Sequence, residues 1–336
     1  MPLVILLILF LLSFSGTGFI RHYALTNNVL DIPNHRSSHV APTPRGGGLA
    51  FVILFLVYLT YLGFIDAISG WTQLGLTFAG CGAACLGFMD DHIPIAAKYR
   101  LLGHFLISGF ALYCLGGMSS ITVFGCWTFQ QGTLLVNSFA LLYLVWFLNL
   151  YNFMDGIDGL AAIEAIFICL SGAVIQGMGA ESVIYSLPTI LATVVGSFLC
   201  WNFPRARVFM GDVGSCFLGL MIGLFSIQAA SINPALFWTW IILGGIFIVD
   251  ATLTLLFRAF EGQKLYEAHR SHAYQLATDH FNSHLRVTLG ILCINMLWLF
   301  PIALTVALGH LNGLLGVCIA YFPLILLVLY FRFKKA

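Results

Sequence analysis

Four oxygen-bearing side chains recur at a strict three-residue spacing near the middle of the chain. The segment NLYNFMDGIDGLAAIEA contains Asn149, Asn152, Asp155 and Asp158, and a glycine follows each aspartate. This period places the side chains along one side of a helix end or tight turn, and the glycines allow a ligand to approach the backbone. Amide and carboxylate oxygens suit Mg²⁺ and the N–H groups of a nucleobase or sugar. Turn propensity alone is the alternative explanation. The segment is flanked by long apolar runs, however, and four polar side chains beside a membrane would cost free energy that a turn does not require.

A second acidic motif, GFMDDHIPIAAKYR, contains the adjacent residues Asp90 and Asp91, with Lys98 and Arg100 shortly after them. Adjacent carboxylates repel each other, so a nearby cation or metal is expected to stabilise the pair. The pair therefore suits either Mg²⁺ chemistry or general-base catalysis. An acidic helix end with flanking basic residues is the simpler alternative.

The segment WNFPRARVFMGDVGSCF places Asp212 directly after Gly211 and directly before an apolar run. We expect its carboxylate at the N-terminus of the next helix, where the helix dipole favours an anion or organises a bound metal. Asp212 is therefore the strongest single candidate for a metal ligand. Asn202 lies ten residues upstream, at the end of the preceding apolar run.

The longest polar loop, LFRAFEGQKLYEAHRSHAYQ, clusters His269, Arg270 and His272. A guanidinium beside imidazoles suits a phosphate or pyrophosphate. Zinc is disfavoured, because no HExxH motif or Cys/His set completes such a site.

An earlier loop, LDIPNHRSSHVAPTPRGGGLAF, contains Arg36, His39, Arg45 and three consecutive glycines. The loop fits two explanations equally well. It could face a phosphate, although neither GxGxxG nor GxxxxGK[ST] is present, or it could be a Pro/Gly loop that enters a helix.

The elements that position these motifs are membrane spans. The 336 residues are 60% hydrophobic and 8% charged, with a mean hydropathy of +0.98, which excludes an ordinary soluble globule. Runs long enough to cross a hydrocarbon core of about 30 Å predict an all-α polytopic membrane protein with about eleven transmembrane helices, ten being the alternative count, in a single domain over 1–336. The predicted spans are 2–20, 47–65, 72–89, 100–118, 133–150, 159–178, 184–200, 213–230, 236–257, 287–308 and 314–331.

The basic residues predict the orientation. Thirteen of the fourteen lysines and arginines fall in alternate loops, namely 21–46, 90–99, 151–158, 201–212, 258–286 and the tail after 331, and the fourteenth, Arg100, is the first residue of the span that follows 90–99. Because cytoplasmic loops carry the Lys/Arg excess, the N-terminus is predicted to be periplasmic and the C-terminus cytoplasmic. The candidate motifs then share the cytoplasmic face. The first apolar run has no basic residues before it, which indicates an uncleaved anchor rather than a signal peptide.

Other function classes are less well supported. A net charge of +1 argues against a nucleic-acid partner. The nine cysteines form no CxxC pair and are predicted to be small packing residues. A secondary transporter is the alternative function, with the intramembrane acids Asp250 and Glu164 as coupling-ion sites. The polar residues gather at one face, however, and no two halves of the chain repeat.

The motifs, in this order and on one face, resemble the polyprenyl-phosphate N-acetylhexosamine-1-phosphate transferases of glycosyltransferase family 4, which includes the phospho-muramoyl-pentapeptide translocase. The resemblance runs from about Asp31 to about Gln275 and rests on DIPNHRSSHVAPTPRGGG, MDD, NxxNxxDGIDGL, VFMGDVGS and HRSHAYQ. The first block looks most like the branch that initiates lipopolysaccharide O-antigen. The resemblance implies transfer of a sugar 1-phosphate from a UDP-N-acetylhexosamine to undecaprenyl phosphate, with release of UMP, at the inner (cytoplasmic) membrane of a bacterium.

The resemblance also implies a metal and nucleotide site. Asp212 and Asn152 are the implied ligands of Mg²⁺, for which Mn²⁺ is an alternative. Asp155 and Asp158 are implied to shape the nucleotide-sugar pocket, and Asn202 is implied to lie near the uracil.

On the lipid side, the resemblance makes Asp90 or Asp91 a base or an orienter of the lipid phosphate. It makes Lys98 or Arg100 the group that attracts this phosphate. A polyprenyl phosphate is already an anion at neutral pH, so a strong base is not required.

The remaining implied contacts involve the donor. Arg270 and His272 fall where the family grips the pyrophosphate or sugar, and His269 and Arg45 are further substrate-binding candidates. The sugar itself is left open among GlcNAc, GalNAc, QuiNAc and FucNAc. The oligomeric state is also open, with a homodimer as one alternative.

Overall fold

The computed structural model describes residues 3–33, 41–93, 95–123, 127–178, 186–264 and 269–335. The described chain is mostly helical. Its helices are α1 (Leu3–Thr26), α2 (Gly48–Phe64), α3 (Gly70–His92), α4 (Ala97–Cys114), α5 (Leu134–Met154), α6 (Leu160–Gly177), α7 (Ser186–Asn202), α8 (Asp212–Ile232), α9 (Pro234–Leu243), α10 (Gly245–Phe260), α11 (Ala273–Phe281), α12 (His284–Ile294), α13 (Phe300–Ala307) and α14 (Gly313–Lys335). A π-helical turn, Asn295–Leu299, joins α12 to α13.

The helices confirm a multi-pass membrane protein. Every predicted apolar run coincides with one helix or with a consecutive pair of helices. Within the described residues, seven helical segments are long and apolar enough to cross a membrane, or eight if a bent pair counts as one span. That pair is α9 and α10, which meet at 70° inside the predicted span 236–257. Helices α2 and α7 have 17 residues each. The count of eleven and the orientation of the chain remain predictions.

Helix α8 lies at the centre of the bundle, and its residues 213–230 are all buried. Helices α3 and α5 pack closely against it because glycines remove the side chains at the contacts. A Cβ on Gly87 of α3 would lie 2.3 Å from the carbonyl oxygen of Asp212, and a Cβ on Gly219 of α8 would lie 2.8 Å from Cα of Leu148. The C-terminal ends of α3 and α5 therefore meet the N-terminus of α8 at one end of the bundle.

Two short hairpins interrupt the helical pattern. Strand β1 (Leu30–Asp31) pairs with β2 (Thr43–Pro44), and β3 (Ile121–Val123) pairs with β4 (Trp127–Phe129), both antiparallel. An all-helical prediction missed these hairpins, which are only two or three residues long in each strand. The first hairpin leads directly into α2 and the residues around Arg45.

The three consecutive glycines after Arg45 serve close packing. The N–H groups of Gly47 and Gly48 donate to the carbonyl oxygens of Phe209 and Met210, both at 2.9 Å. A Cβ on Gly48 would lie 2.7 Å from Cα of Gly214. These contacts favour a loop that enters a helix over a phosphate-facing glycine loop. Arg36 and His39 of the same motif lie outside the described residues.

Candidate active site

Asp91 fixes the start of α8. Its carboxylate accepts hydrogen bonds from the backbone N–H groups of Asp212 at 3.0 Å and Val213 at 3.4 Å. Gly211, which precedes the helix, has φ of +77°, and a Cβ there would lie 2.6 Å from Oδ2 of Asp91. Asp212 therefore stands at a helix N-terminus, as its position before an apolar run predicted. Both oxygens of Asp91 thus cap the start of α8, and its role as a base or an orienter of the lipid phosphate stays a prediction.

Arg45 joins the two acids. Its Nη2 lies 2.6 Å from Oδ1 of Asp91 and 3.0 Å from Oδ1 of Asp212. The side chain of Asp91 is almost fully buried, whereas that of Arg45 is about one-third exposed. One guanidinium thus serves two carboxylates that come from helices far apart in the chain.

Asn152 lies beside Asp212, as expected for two ligands of one metal. Its Nδ2 donates to Oδ2 of Asp212 at 3.3 Å, and its Oδ1 accepts from the hydroxyl of Ser215 at 2.9 Å. The Asn152 carboxamide must turn over if its oxygen is to face a metal on Asp212. Of the residues spaced three apart from Asn149, it is therefore Asn152 that contacts the start of α8.

The charges around Asp155 fit a divalent cation. Burial, followed by the charge of Asp212, raises the pKa of Asp155 to about 7. Four carboxylates, those of Asp91, Asp212, Asp31 and Asp155, share Arg45 as a common electrostatic neighbour. Within the described ranges, no three His, Cys, Asp or Glu side chains form a metal site by themselves. Mg²⁺ commonly uses one or two carboxylates together with substrate phosphates, so these residues fit an ion that is shared with a substrate.

A polar cavity of about 230 Å³ opens beside these acids. Its lining residues come from strand β1, the residue after β2, the end of α5 and the loop that follows it, the end of α7, the segment before α8 with the first residue of α8, and helices α11 and α12. They are Asp31, Arg45, Asn152, Asp155, Gly156, Ile157, Asp158, Asn202, Phe209, Gly211, Asp212, Gln275 and His284.

A second, apolar cavity of about 760 Å³ adjoins the first. Its walls are mainly the apolar side chains of α4, α5 and α10, and its polar end is formed by Arg100, Asn149, Asn152, His269, His272 and Gln275. Asn152 and Gln275 line both cavities. The two cavities therefore meet beside the predicted metal ligands.

The adjacent acids Asp90 and Asp91 turn to different partners. Asp90 forms an ion pair with Arg100 and accepts the N–H of Ile95 at 2.9 Å. Arg100 in turn lines the apolar cavity. Lys98 lies over the ring of Tyr99 at 4.9 Å and is not among the lining residues of either cavity. Of the two basic candidates for the lipid phosphate, Arg100 is therefore the one that lines a cavity.

Asp250 anchors the histidine loop, residues 269–272, over the site. Its carboxylate accepts the N–H groups of Ala273 at 2.8 Å and Tyr274 at 2.9 Å, and its Oδ1 lies 3.3 Å from Nδ1 of His272. This buried acid fixes the first turn of α11. Sequence reasoning missed this role and considered Asp250 only as the coupling-ion site of a transporter.

A tyrosine ties α11 to the end of α5. The hydroxyl of Tyr274 donates to the carbonyl oxygen of Phe153 at 3.1 Å. A Cβ on Gly156 would lie 2.1 Å from that hydroxyl oxygen. The first glycine of DGIDG is therefore required for this close contact as well as for ligand approach.

The members of the histidine loop have different placements. His269 lines the apolar cavity with its ring 4.8 Å from that of His272. Burial, then the neighbouring His272, lowers the pKa of His269 to about 4, so this imidazole is neutral at pH 7. Arg270 pairs with Asp279 at 2.6 Å and lines neither cavity. The structure therefore does not bring Arg270 to the substrate position that its motif suggested.

Asn202 and His284 hold the segments that follow α5 and precede α8 at the polar cavity. The side-chain oxygen of Asn202 accepts the N–H of Gly159 at 2.8 Å, and its side-chain nitrogen donates to the carbonyl oxygen of Val208 at 2.9 Å. The Asn202 amide therefore links the segment before α6 to the segment before α8. Asp158 Oδ2 lies 3.2 Å from Nδ1 of His284. Sequence reasoning missed His284, whose only signal was its place in the long loop 258–286.

The remaining polar residues have structural partners. Asn149 contacts Nδ1 of His104 at 3.2 Å and the carbonyl oxygen of Val145 at 2.7 Å. Glu164 accepts from Nδ2 of Asn295 at 2.5 Å. Because Glu164 and Asp250 both hold neighbouring elements, their contacts do not favour a transporter.

Comparison with known proteins agrees with the motifs. The model of glycosyl transferase family 4 matches residues 73–230. The chain is 29% identical to the decaprenyl-phosphate N-acetylglucosaminephosphotransferase of Mycolicibacterium smegmatis over 66% of this chain and 58% of that relative, less than two thirds of its length. It is 28% identical to the probable undecaprenyl-phosphate N-acetylglucosaminyl 1-phosphate transferase of Bacillus subtilis, over 77% of this chain and 72% of the relative. It is 29% identical to the phospho-N-acetylmuramoyl-pentapeptide-transferase of Streptococcus mutans, over 71% and 74%.

The fold and the site define a multi-pass helical membrane protein in which a polar and an apolar cavity meet at one end of the bundle. The chain resembles glycosyl transferase family 4, whose model matches residues 73–230 and to which these relatives are similar in sequence. The family resemblance that the motifs indicated is thereby confirmed, whereas the O-antigen branch remains a prediction.

Proposed function

We propose that the protein transfers an N-acetylhexosamine 1-phosphate from a UDP-sugar to undecaprenyl phosphate. The observation that carries this proposal is the junction of the two cavities at Asn152 and Gln275. A charged nucleotide sugar suits the polar cavity, and an isoprenoid chain suits the apolar one. The acceptor phosphate and the donor diphosphate would then meet at the junction. The names of two relatives, the decaprenyl-phosphate and undecaprenyl-phosphate transferases described above, support this pairing.

In the proposed reaction, an oxygen of the lipid phosphate attacks the β-phosphorus of the UDP-sugar. The bond from this phosphorus to the bridging oxygen breaks, which releases UMP and leaves undecaprenyl-diphosphate-sugar. Phosphoryl transfer depends on positioning and charge neutralisation more than on covalent catalysis. Arg100 would attract the lipid phosphate from the apolar side, and Asp90 would orient Arg100. No proton needs to leave an acceptor that is already an anion.

The residues of the polar cavity would hold a Mg²⁺ ion together with the donor. Asp212 would be the main ligand, with Asn152 and Asp155 beside it. When bound, the ion supplies neutralisation of the diphosphate charge, and Mn²⁺ is expected to substitute for it. The protein's own part is to fix Asp212 at the start of α8 through Asp91.

The sugar and the pathway belong to the same proposal. N-acetylglucosamine appears in the names of two relatives, which supports an N-acetylhexosamine as the sugar. The resemblance of the block DIPNHRSSHVAPTPRGGG to the O-antigen-initiating branch supports a role in the first membrane step of O-antigen synthesis at a bacterial inner membrane. Asp155 and Asp158 would contact the nucleotide sugar within the polar cavity.

Nucleotide release by the purified full-length protein tests the proposal. The protein in lipid nanodiscs is supplied with undecaprenyl phosphate, MgCl₂ and one of UDP-GlcNAc, UDP-GalNAc, UDP-QuiNAc or UDP-FucNAc, with UDP-glucose as the matched donor that lacks the acetamido group. We expect UMP from at least one acetylated donor, in an amount equal to the lipid-linked sugar, and none without lipid. Absence of UMP with all donors would contradict the proposed function.

A further inference from the structure

Arg45 engages the carboxylate that we propose as the main metal ligand. Its Nη2 lies 3.0 Å from Oδ1 of Asp212, while Oδ2 of the same carboxylate accepts the amide of Asn152 at 3.3 Å. Both oxygens of Asp212 are therefore engaged by hydrogen-bond donors of the protein. A divalent cation that binds Asp212 must compete with at least one of these donors.

The two contacts of Arg45 are not equivalent. The side chain of Asp91 is 3% exposed, and two backbone N–H groups of α8 hold it in place. The side chain of Asp212 is 19% exposed, and its contact with Arg45 is 0.4 Å longer, 3.0 against 2.6 Å. Arg45 can therefore leave Asp212 and keep its ion pair with Asp91.

The backbone on both sides of Arg45 is held. The carbonyl oxygen of Pro44 accepts the N–H of Phe209 at 2.8 Å, and the N–H of Gly47 donates to the carbonyl oxygen of Phe209 at 2.9 Å. The Arg45 side chain, by contrast, is 34% exposed and lines the polar cavity. Movement is thus confined to the side chain, which can turn from Asp212 towards the cavity.

We propose that Arg45 competes with the divalent cation for Asp212 and, once displaced, binds the diphosphate of the nucleotide-sugar donor. Two cations a few ångströms apart repel each other strongly in a partly buried site. A guanidinium, in turn, pairs with phosphate oxygens through parallel hydrogen bonds. Arg45 keeps metal affinity low until a donor diphosphate arrives, so metal and donor bind together. The competition rests on the metal site of the proposed function, and the diphosphate contact rests in addition on the proposed nucleotide-sugar donor.

Mn²⁺ binding to the nucleotide-free protein tests the competition without turnover. Full-length protein in nanodiscs is titrated with Mn²⁺, and free Mn²⁺ is measured by electron paramagnetic resonance. Arg45→Gln should bind Mn²⁺ about tenfold more tightly than wild type, because a nearby positive charge is lost. Arg45→Lys, which keeps the charge, should stay close to wild type. The matched control is Arg332→Gln, which removes an ion pair with Glu261 away from both cavities and should leave the affinity unchanged. Unchanged or weaker Mn²⁺ binding in Arg45→Gln would overturn the competition.

Donor binding gives a change of opposite sign. At saturating Mn²⁺, the affinity of Arg45→Gln for UDP-N-acetylglucosamine should fall about tenfold or more, because a charge-assisted hydrogen bond to phosphate is lost. A folding defect would weaken both metal and donor binding. An unchanged donor affinity would overturn the diphosphate contact. Should the wild type bind no UDP-sugar at all, the proposed function fails while the Mn²⁺ result still decides the competition.

Chemical labelling of the wild-type protein removes any dependence on the folding of variants. A dicarbonyl reagent modifies accessible arginines, and peptide mass spectrometry reports the rate at each site. Saturating Mg²⁺ should increase the labelling rate of Arg45 relative to that of Arg332. A rate ratio that Mg²⁺ leaves unchanged or lowers would show that Arg45 is not displaced from Asp212.

Discussion

Asp250→Ala should release the histidine loop and the start of α11 from the site. The Asp250 carboxylate accepts two backbone hydrogen bonds, from Ala273 and Tyr274, in a buried position. Its removal leaves two buried N–H donors without a partner, at about 1–3 kcal/mol each, or about 2–6 kcal/mol for both. The lower figure corresponds to a roughly thirtyfold increase in local opening. Turnover should fall as well, because His272 and Gln275 line the cavities.

Hydrogen–deuterium exchange of the protein in nanodiscs measures this opening. Peptides that cover 269–281 should exchange at least about thirtyfold faster in Asp250→Ala than in wild type. Asp279→Asn is the matched control, because it neutralises an exposed acid on the same helix whose ion pair with Arg270 contributes about 1 kcal/mol at most. Equal exchange of these peptides in the two variants would refute the anchoring role of Asp250.

Three further substitutions test other contacts of the site. Asp212→Asn should lower kcat by about a hundredfold or more with a smaller change in KM, because charge neutralisation in the transition state is lost; near-normal UMP release would contradict this. Gly156→Ala places a Cβ 2.1 Å from the hydroxyl of Tyr274 and should lower activity, and adding Tyr274→Phe should restore part of it; a double variant no better than Gly156→Ala would argue against the contact. Because burial and Asp212 raise the pKa of Asp155 to about 7, its carboxylate becomes protonated as the pH falls through that value. Mn²⁺ affinity should therefore fall between about pH 8 and pH 6 in wild type and less in Asp155→Asn; equal slopes would contradict the assignment.

The helical architecture could be predicted because each apolar run is long and bounded by polar loops. The position of Asp212 was also predictable, since a Gly-Asp pair before an apolar run indicates a helix start. The 70° bend between α9 and α10 was not, because only the pair Gly244 and Gly245 marks its place and no polar loop separates the two helices. The bend sets the direction of α10, so the contacts of Asp250 with the start of α11 could not be predicted from the hydrophobic periodicity either.

The contacts of the site depend on pairings between distant segments. Arg45 reaches Asp212, 167 residues later, because the segment around Pro44 and Gly47 lies along Phe209. Nothing in the spacing of the first loop indicates that pairing. The ion pair of Arg270 with Asp279 was equally hidden from the sequence, whereas the substrate contact suggested for Arg270 stays a prediction.

The fate of the donor's β-phosphorus tests the central proposal most directly. UDP-N-acetylglucosamine labelled with ³²P at the β-phosphate is incubated with the protein in nanodiscs, undecaprenyl phosphate and Mg²⁺, and the mixture is extracted with organic solvent. Transfer of a sugar 1-phosphate predicts that the label enters the lipid phase while unlabelled UMP appears in the aqueous phase. Label that stays in aqueous UDP would mean that the sugar alone is transferred, and label that stays in intact donor would mean that this reaction does not occur.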